Sequence, residues 1–138
     1  MRALVQRVSK ASVTVAGTKM ASIDAGLLVL LGIGKDDTPE IADKLADKVR
    51  ALRVFGDEGG HFNEPLGERE ILVVSQFTLY ANTSKGNRPS FTEAAKPGDA
   101  RPLYERFAER LQAQRGLFGA NMDVELINDG PVTVMLEL

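Results

Sequence analysis

The side chains in this sequence that could do chemistry gather at the end of one apolar run. In Glu70–Tyr80, EILVVSQFTLY, the uncharged hydrogen-bonding groups of Ser75, Gln76 and Thr78 follow directly on Ile71, Leu72, Val73 and Val74. Such groups serve either as partners for neighbouring strands or as positioning donors and acceptors of a ligand pocket, with Phe77 as an aromatic platform. A hydroxyl nucleophile needs an adjacent base, and bases are scarce here. The chain has no cysteine and a single histidine, His61, in the turn Asp57-Glu58-Gly59-Gly60-His61. Without a second histidine or a spaced set of carboxylates it reads as a solvated loop residue, and the alternating acidic ligands of a calcium loop are missing. No metal is implied.

Cations are the other candidates. Arg7 interrupts the apolar strand Ala3–Val8, either as a solvated edge charge or as an inward fork of donors that holds something. Lys85 and Arg88 flank a glycine in the polar loop Ala81–Pro89, an ordinary connection or a place to meet nucleic-acid phosphates. The stretch Gly32-Ile33-Gly34-Lys35-Asp36-Asp37-Thr38 satisfies neither GxxxxGK[ST] nor GxGxxG. It reads as a turn leading into a helix.

The elements that must position these residues follow from periodicity. Ile71–Val74 reads as a strand buried on both faces, continuing so that Gln76 and Thr78 share one face and Ser75 and Phe77 the other. Leu27–Ile33 is a second continuous apolar run and should lie beside it. Ser12–Val15 and Lys19–Ile23 flank Ala16-Gly17-Thr18 as a hairpin. Thr38 caps a helix that starts at Pro39, runs to about Val54 and buries Ile41, Leu45, Val49 and Leu52. Asp99 caps a second helix with Leu103, Phe107 and Leu111 inward, Pro102 in its first turn and Gly116 as its stop. Two strands close the chain, Asp123–Ile127 and Val132–Leu138, joined by a turn at Asn128-Asp129-Gly130-Pro131. Few X–Pro bonds in folded proteins are cis, so these residues alone give a trans Pro131.

With 138 residues, 43% apolar content and evenly spread glycine and proline, one domain spanning 1–138 is expected. A net charge of −2 excludes a generally basic surface, so a nucleic acid must be met by a local patch. The opening residues lack the apolar core of a signal peptide and no run approaches a membrane span. A soluble, cytoplasmic protein without membrane partners is expected.

Two segments taken together, Ser75-Gln76-Phe77-Thr78-Leu79 and Asn128-Asp129-Gly130-Pro131-Val132-Thr133, resemble the signature motifs of the D-aminoacyl-tRNA deacylases, also called D-tyrosyl-tRNA deacylases. MRALVQRVSKASVTV, GLLVLLGI and LYANTSKGNRPSF are similar to the family in its order, although two stretches, before Ile71 and between Gln112 and Phe118, are shorter than its pattern. The resemblance implies an α+β fold, a three-layer β/β/α domain forming a homodimer with shared active sites. It implies that Gly130-Pro131 is cis and enters the partner's pocket beside Ser75–Leu79, with Arg7 bracing the motif. It further implies hydrolysis of the aminoacyl ester on the 3′-terminal adenosine of tRNA, releasing D-amino acid, with glycyl-tRNA also accepted and no cofactor required.

The chemistry can be weighed against that implication. Thr78 lacks an evident base, so either a hidden group activates it or the ribose 2′-hydroxyl of the substrate supplies the missing function; the second is favoured. The carbonyls of Gly130 and Pro131 near the substrate Cα would then exclude an L side chain, with Asn128, Val132 and Thr133 completing that segment. The competing readings are a general small-molecule esterase, an RNA-end binding module without catalysis, and an editing module like that of archaeal threonyl-tRNA synthetases, which removes L-serine. The absence of a synthetase body in this sequence argues against the last.

Overall fold

In the computed structural model, which describes residues 1–138, the chain is organised along β1 (Arg2–Val15). Buried Ala3 and Val5 alternate with half-buried Arg2, Leu4 and Gln6, giving the strand one apolar face. β2 (Thr18–Ile23) folds back on the second half of β1 through Ala16 and Gly17, both with the positive φ that a two-residue hairpin turn requires. β3 (Gly26–Gly32) pairs with the first half of β1, and β6 (Glu70–Ser75) lies parallel to β3. β7 (Gln114–Arg115) adds to β6, while β8 (Asp123–Glu137) runs along the other edge of β1. Outside this sheet, β4 (Phe55–Gly56) and β5 (Phe62–Glu64) pair only with each other.

Parallel neighbours need a crossover, and α1 (Pro39–Ala51) supplies it between β3 and β6. The Thr38 hydroxyl accepts from the Ile41 N–H at 3.3 Å, as expected of an N-cap. The helix ends three residues earlier than its periodicity suggests, because Leu52 turns to an extended backbone. α2 (Pro97–Arg110) begins before Asp99: Lys96 is the N-cap, and Asp99 sits in the first turn, where a carboxylate faces the positive end of the helix. Pro102 lies inside this helix. It is tolerated because both it and Gly98, whose carbonyl it leaves unpaired, are exposed to water. The stop is Gln112 with φ of 51°, not Gly116.

Two apolar clusters result. Val5, Leu27, Val29, Leu31, Ile71 and Val73 meet α1 and α2 through Leu45, Val49, Tyr104 and Phe107. On the opposite face, Leu28, Leu72 and Val74 pack with Val8, Val13, Ala21 and Ile23 from β1 and β2. Each fully buried Leu or Val contributes roughly 1.5–3 kcal/mol, so these clusters outweigh the surface ion pairs. The Tyr104 hydroxyl donates to the Val73 carbonyl at 3.1 Å, and burial pushes its phenol up to about 12. Across the helix pair, Arg106 clasps Asp43 at 2.9 and 2.8 Å, and Arg110 clasps Asp47 at 2.7 and 2.9 Å. No helix is long and apolar enough to cross a membrane.

Two departures from the sequence reading shape the site. The central strand stops at Ser75 and the chain turns into a 3-10 helix over Phe77–Tyr80, so Gln76 and Thr78 do not share a strand face. Its last ladder bond runs from the Gln76 N–H to the Leu31 carbonyl at 2.8 Å, and beyond Gly32 the neighbouring segment pairs instead with Glu93–Ala95, through Ala95 N–H to the Ile33 carbonyl at 2.9 Å and Lys35 N–H to the Glu93 carbonyl at 3.0 Å. The C-terminal segment is one strand rather than two. Val8 pairs with Asn128 and Gln6 with Thr133, so Arg7 alone faces the four residues Asp129–Val132, which bulge out. A bulge accommodates Pro131, which has no N–H for the ladder. The Gly130–Pro131 peptide is cis, where the residues by themselves gave trans.

Candidate active site

The end of β6 opens onto a cavity of about 660 Å3. Ser75, Gln76 and Phe77 line it from the strand end, Phe91, Ala95 and Lys96 from the segment before α2, and Phe118, Asn121 and Met122 from the loop after β7. Phe77 and Phe91 meet edge to face with ring centroids 5.0 Å apart, and Phe77 remains 56% exposed. A mostly apolar slot with aromatic walls suits a flat, partly polar ligand such as a nucleobase.

The 3-10 turn gives this mouth its polar edge. The Gln76 side-chain amide donates to the Thr78 hydroxyl, which fixes the oxygen without making it basic. The turn closes through Leu79 N–H to Gln76 carbonyl at 3.2 Å and Ala81 N–H to Thr78 carbonyl at 3.0 Å. As the first residues of a helix, Phe77 and Thr78 have no preceding carbonyl to reach, and their backbone N–H groups donate to nothing within the chain. Two free N–H donors on one turn, beside a pocket, can stabilise developing negative charge on an ester oxygen. An ionisable base is absent from this edge. Tyr80 is the nearest titratable side chain on the turn, and burial, reinforced by Asp37, pushes its phenol up to about 12.

The bulge forms a second cluster. Arg7 is buried, so the solvated-edge alternative does not hold. Its Nε donates to the Asp129 carbonyl at 3.2 Å and faces the Asp129 carboxylate at 3.1 Å, while Nη1 reaches the Val54 carbonyl at 2.5 Å and Nη2 approaches the Gly130 carbonyl at 3.5 Å. Phe62 covers the guanidinium at 5.3 Å from its ring centroid. The Asn128 amide donates to the carbonyls of Arg7 and Val132, both at 3.0 Å, and so ties the two ends of the bulge. Thr133 accepts from Gln6 at 3.2 Å, and Val132 is buried, while Gly130 and Pro131 point to solvent.

The two clusters do not meet within one chain. Arg2 sits at the turn and Arg7 at the bulge, five strand residues or roughly 16 Å apart along β1, and Gly130 and Pro131 are not among the cavity walls. Lys85 and Arg88 lie exposed on a loop closed by pairing of Asn82 with Ser90, free of ion pairs but outside the cavity. His61 is 82% exposed and faces only Asp57, whose carboxyl is held low by backbone N–H groups of His61 and Gly59. Sequence reasoning missed Phe91, Lys96 and Phe118 as cavity walls. Their spacing carries no period; only the fold brings them together.

Comparison with known proteins fits this geometry. The family model described as D-Tyr-tRNA(Tyr) deacylase matches residues 4–137. The D-aminoacyl-tRNA deacylase of Thermomicrobium roseum is 54% identical over 99% of this chain and 94% of its own length. That of Exiguobacterium sibiricum is 55% identical, covering 99% of both. Among solved structures, the c-Myc DNA Unwinding Element Binding Protein superposes with a TM-score of 0.94 at 43% identity over 100% of this chain and 99% of the other. A probable eukaryotic D-amino acid tRNA deacylase shares the fold, with a TM-score of 0.85 at 17% identity over 99% and 98%.

Proposed function

The chain belongs to the D-Tyr-tRNA(Tyr) deacylase family and is a hydrolase of D-aminoacyl-tRNA, and from that premise we propose how its own residues perform the reaction. The observation that carries the reading is the pair of unpartnered N–H groups on Phe77 and Thr78 beside an aromatic cavity. The terminal adenosine of tRNA occupies the cavity with its base against the Phe77 and Phe91 walls. The scissile carbonyl oxygen then lies over the two N–H groups, which stabilise the tetrahedral oxyanion. Thr78, held by Gln76, positions the ester, and Ser75 lines the strand end beside it. The neighbouring ribose 2′-hydroxyl supplies the proton relay that this edge of the protein lacks.

Chirality comes from a second copy of the chain. Gly130 and Pro131 are exposed and do not line their own chain's cavity, so in this reading they act in the partner's, and two sites per homodimer follow. Braced by Arg7, the carbonyls of Gly130 and Pro131 approach the substrate Cα closely enough to admit hydrogen but not an L side chain. Glycyl-tRNA therefore passes. The two clusters on opposite sheet faces support a β/β/α layering in which the second face turns toward the partner. Lys85 and Arg88 meet phosphates of the acceptor end.

The deciding experiment is deacylation of paired D- and L-tyrosyl-tRNA, with p-nitrophenyl acetate and L-seryl-tRNA as controls. Cleavage of the D-ester alone is expected. Comparable cleavage of the L-ester overturns backbone exclusion, and rapid hydrolysis of the nitrophenyl ester points to a general esterase. A D-tyrosyl-tRNA ending in 2′-deoxyadenosine should be cleaved far more slowly, and equal rates refute substrate assistance.

A further inference from the structure

The 3-10 turn that carries Phe77 and Thr78 is short, and a four-residue helix holds no shape by itself. Its floor is β3. A Cβ on Gly32 would lie 3.1 Å from the Gln76 carbonyl oxygen and 3.1 Å from Leu79 Cβ, and one on Gly34 would lie 2.9 Å from the Tyr80 hydroxyl. The turn is therefore seated directly on glycine backbone. Opposite that floor, one side chain spans turn and sheet. Arg2 Nη1 donates to the Leu79 carbonyl at 2.8 Å, and its guanidinium carbon stacks 4.4 Å from the centre of the Tyr80 ring. Its Nε is held by Glu137 at 3.1 Å, its cross-strand partner in β8. The free carbonyls at a helix C-terminus carry partial negative charge, and Arg2 binds there, at the end opposite the free N–H groups of Phe77 and Thr78.

We propose that Arg2, oriented by Glu137, is a positioning residue for hydrolysis: it clamps the 3-10 turn onto the Gly32–Gly34 floor and so aims the Phe77 and Thr78 N–H groups. The inference rests on the role given above to those two N–H groups. A planar fork suits this task because one donor serves Leu79, another Glu137, and the face covers Tyr80; a lysine ammonium cannot do all three. Arg2 is half-buried and touches no cavity wall other than through the turn. Its loss should leave substrate binding nearly intact while the reacting geometry loosens.

The test compares Arg2→Met, Arg2→Lys and Glu137→Gln with the unaltered homodimer on D-tyrosyl-tRNA. A misaligned site loses rate by up to about 100-fold. Arg2→Met should lower kcat by roughly 10- to 100-fold with KM changed less than about threefold, Arg2→Lys should recover little of this, and Glu137→Gln, which keeps an acceptor, should be mildest. A folded Arg2→Met with kcat within twofold overturns the proposal, as does a loss confined to KM. Should Arg2→Met fail to fold, Gly32→Ala probes the same seat from below and must show the same kcat-selective loss; an unaffected kcat there refutes it. Amide hydrogen exchange at Gln76, Leu79 and Ala81, whose N–H groups close the turn and tie it to β3, separates this inference from the catalytic reading. Faster exchange in Arg2→Met supports the clamp even if the unaltered protein proves unable to cleave D-tyrosyl-tRNA, and unchanged exchange removes the clamp even if it cleaves well.

Discussion

Replacing Arg7 with lysine tests whether the bulge is a rigid device for discrimination. In the structure the guanidinium makes two well-formed bonds, Nε to the Asp129 carbonyl at 3.2 Å and Nη1 to the Val54 carbonyl at 2.5 Å, and a marginal one to Gly130 at 3.5 Å. A lysine ammonium at the same depth can reach one of these carbonyls, so one charge-assisted bond, about 1.5–3 kcal/mol, is lost. The ion pair with Asp129 adds little, because that carboxylate is 55% exposed and such pairs contribute about 0–1 kcal/mol. If the whole loss appears as freedom of the Gly130 carbonyl, discrimination falls by roughly 10- to 150-fold, at about 1.4 kcal/mol per tenfold. The assay is the ratio of kcat/KM for D- over L-tyrosyl-tRNA, with dimer content and folding checked. With the D-ester bound mainly by the cavity, as proposed, its KM should move little while hydrolysis of the L-ester rises. A folded, dimeric Arg7→Lys whose ratio stays within twofold of the parent would show that Arg7 is structural filling and that the bulge holds its shape without it.

Thr78→Ala should retain substantial activity, slowing by only about 2- to 13-fold for one hydrogen bond of about 0.5–1.5 kcal/mol; a fall to the uncatalysed rate would make Thr78 a nucleophile instead. Mixing a homodimer inactivated at Gln76 and Thr78 with one inactivated at Gly130 and Pro131 should restore activity, since exchange creates one intact pocket per mixed dimer, and silence despite proven exchange refutes the shared site. Lys85→Ala and Arg88→Ala should each raise KM and reduce the slope of log KM against log salt by about 0.7–0.9 for every phosphate left without its cation, with kcat unchanged. Hydrogen bonds from Arg106 and Arg110 hold the carboxyls of Asp43 and Asp47 below the ordinary value of 3.8. Depressed carboxylates stabilise above their unfolded value and cease to do so as pH falls through the folded one, so the Tm advantage over Asp43→Asn should persist at neutral pH and close below pH 3.8.

The parts legible in the sequence are those fixed by local periodicity. The runs Leu27–Ile33 and Ile71–Val74 announce two buried neighbours, and β3 and β6 are adjacent and parallel; Thr38-Pro39 marks the start of α1. Of the polar sequence Ser75-Gln76-Phe77-Thr78, the first three residues line the cavity and Thr78 does not, and strand alternation carried past Ser75 gives the wrong facing. Nothing within the segment could reveal this, because past Leu31 the neighbouring chain exchanges its backbone bonds with Glu93–Ala95 instead, a pairing set by a distant segment. The same limit explains the C-terminus. Asn128-Asp129-Gly130-Pro131 has turn composition, and a turn usually reverses the chain; here β1 is long enough to pair with both flanks, so the chain bulges around Arg7 and continues.

Arg2 and Arg7 are both strand arginines whose side chains end on backbone carbonyls of distant segments. Composition treats them alike, as charges on an otherwise apolar strand. Position along β1 separates them: Arg2 is opposite Glu137 in regular pairing and reaches forward to the 3-10 turn, whereas Arg7 is opposite no β8 residue and fills the gap that the bulge leaves. One strand thus fixes both the turn proposed to act on the ester and the bulge proposed to enter a partner's site. Their spacing is set by strand geometry, roughly 3.3 Å per residue, which no loop could hold as firmly. An insertion of one residue between Arg2 and Arg7 would throw one of them onto the opposite face. It should therefore abolish either turnover or D/L discrimination more completely than either arginine substitution, and a variant with such an insertion that keeps both would refute the idea that β1 sets the two sites in register.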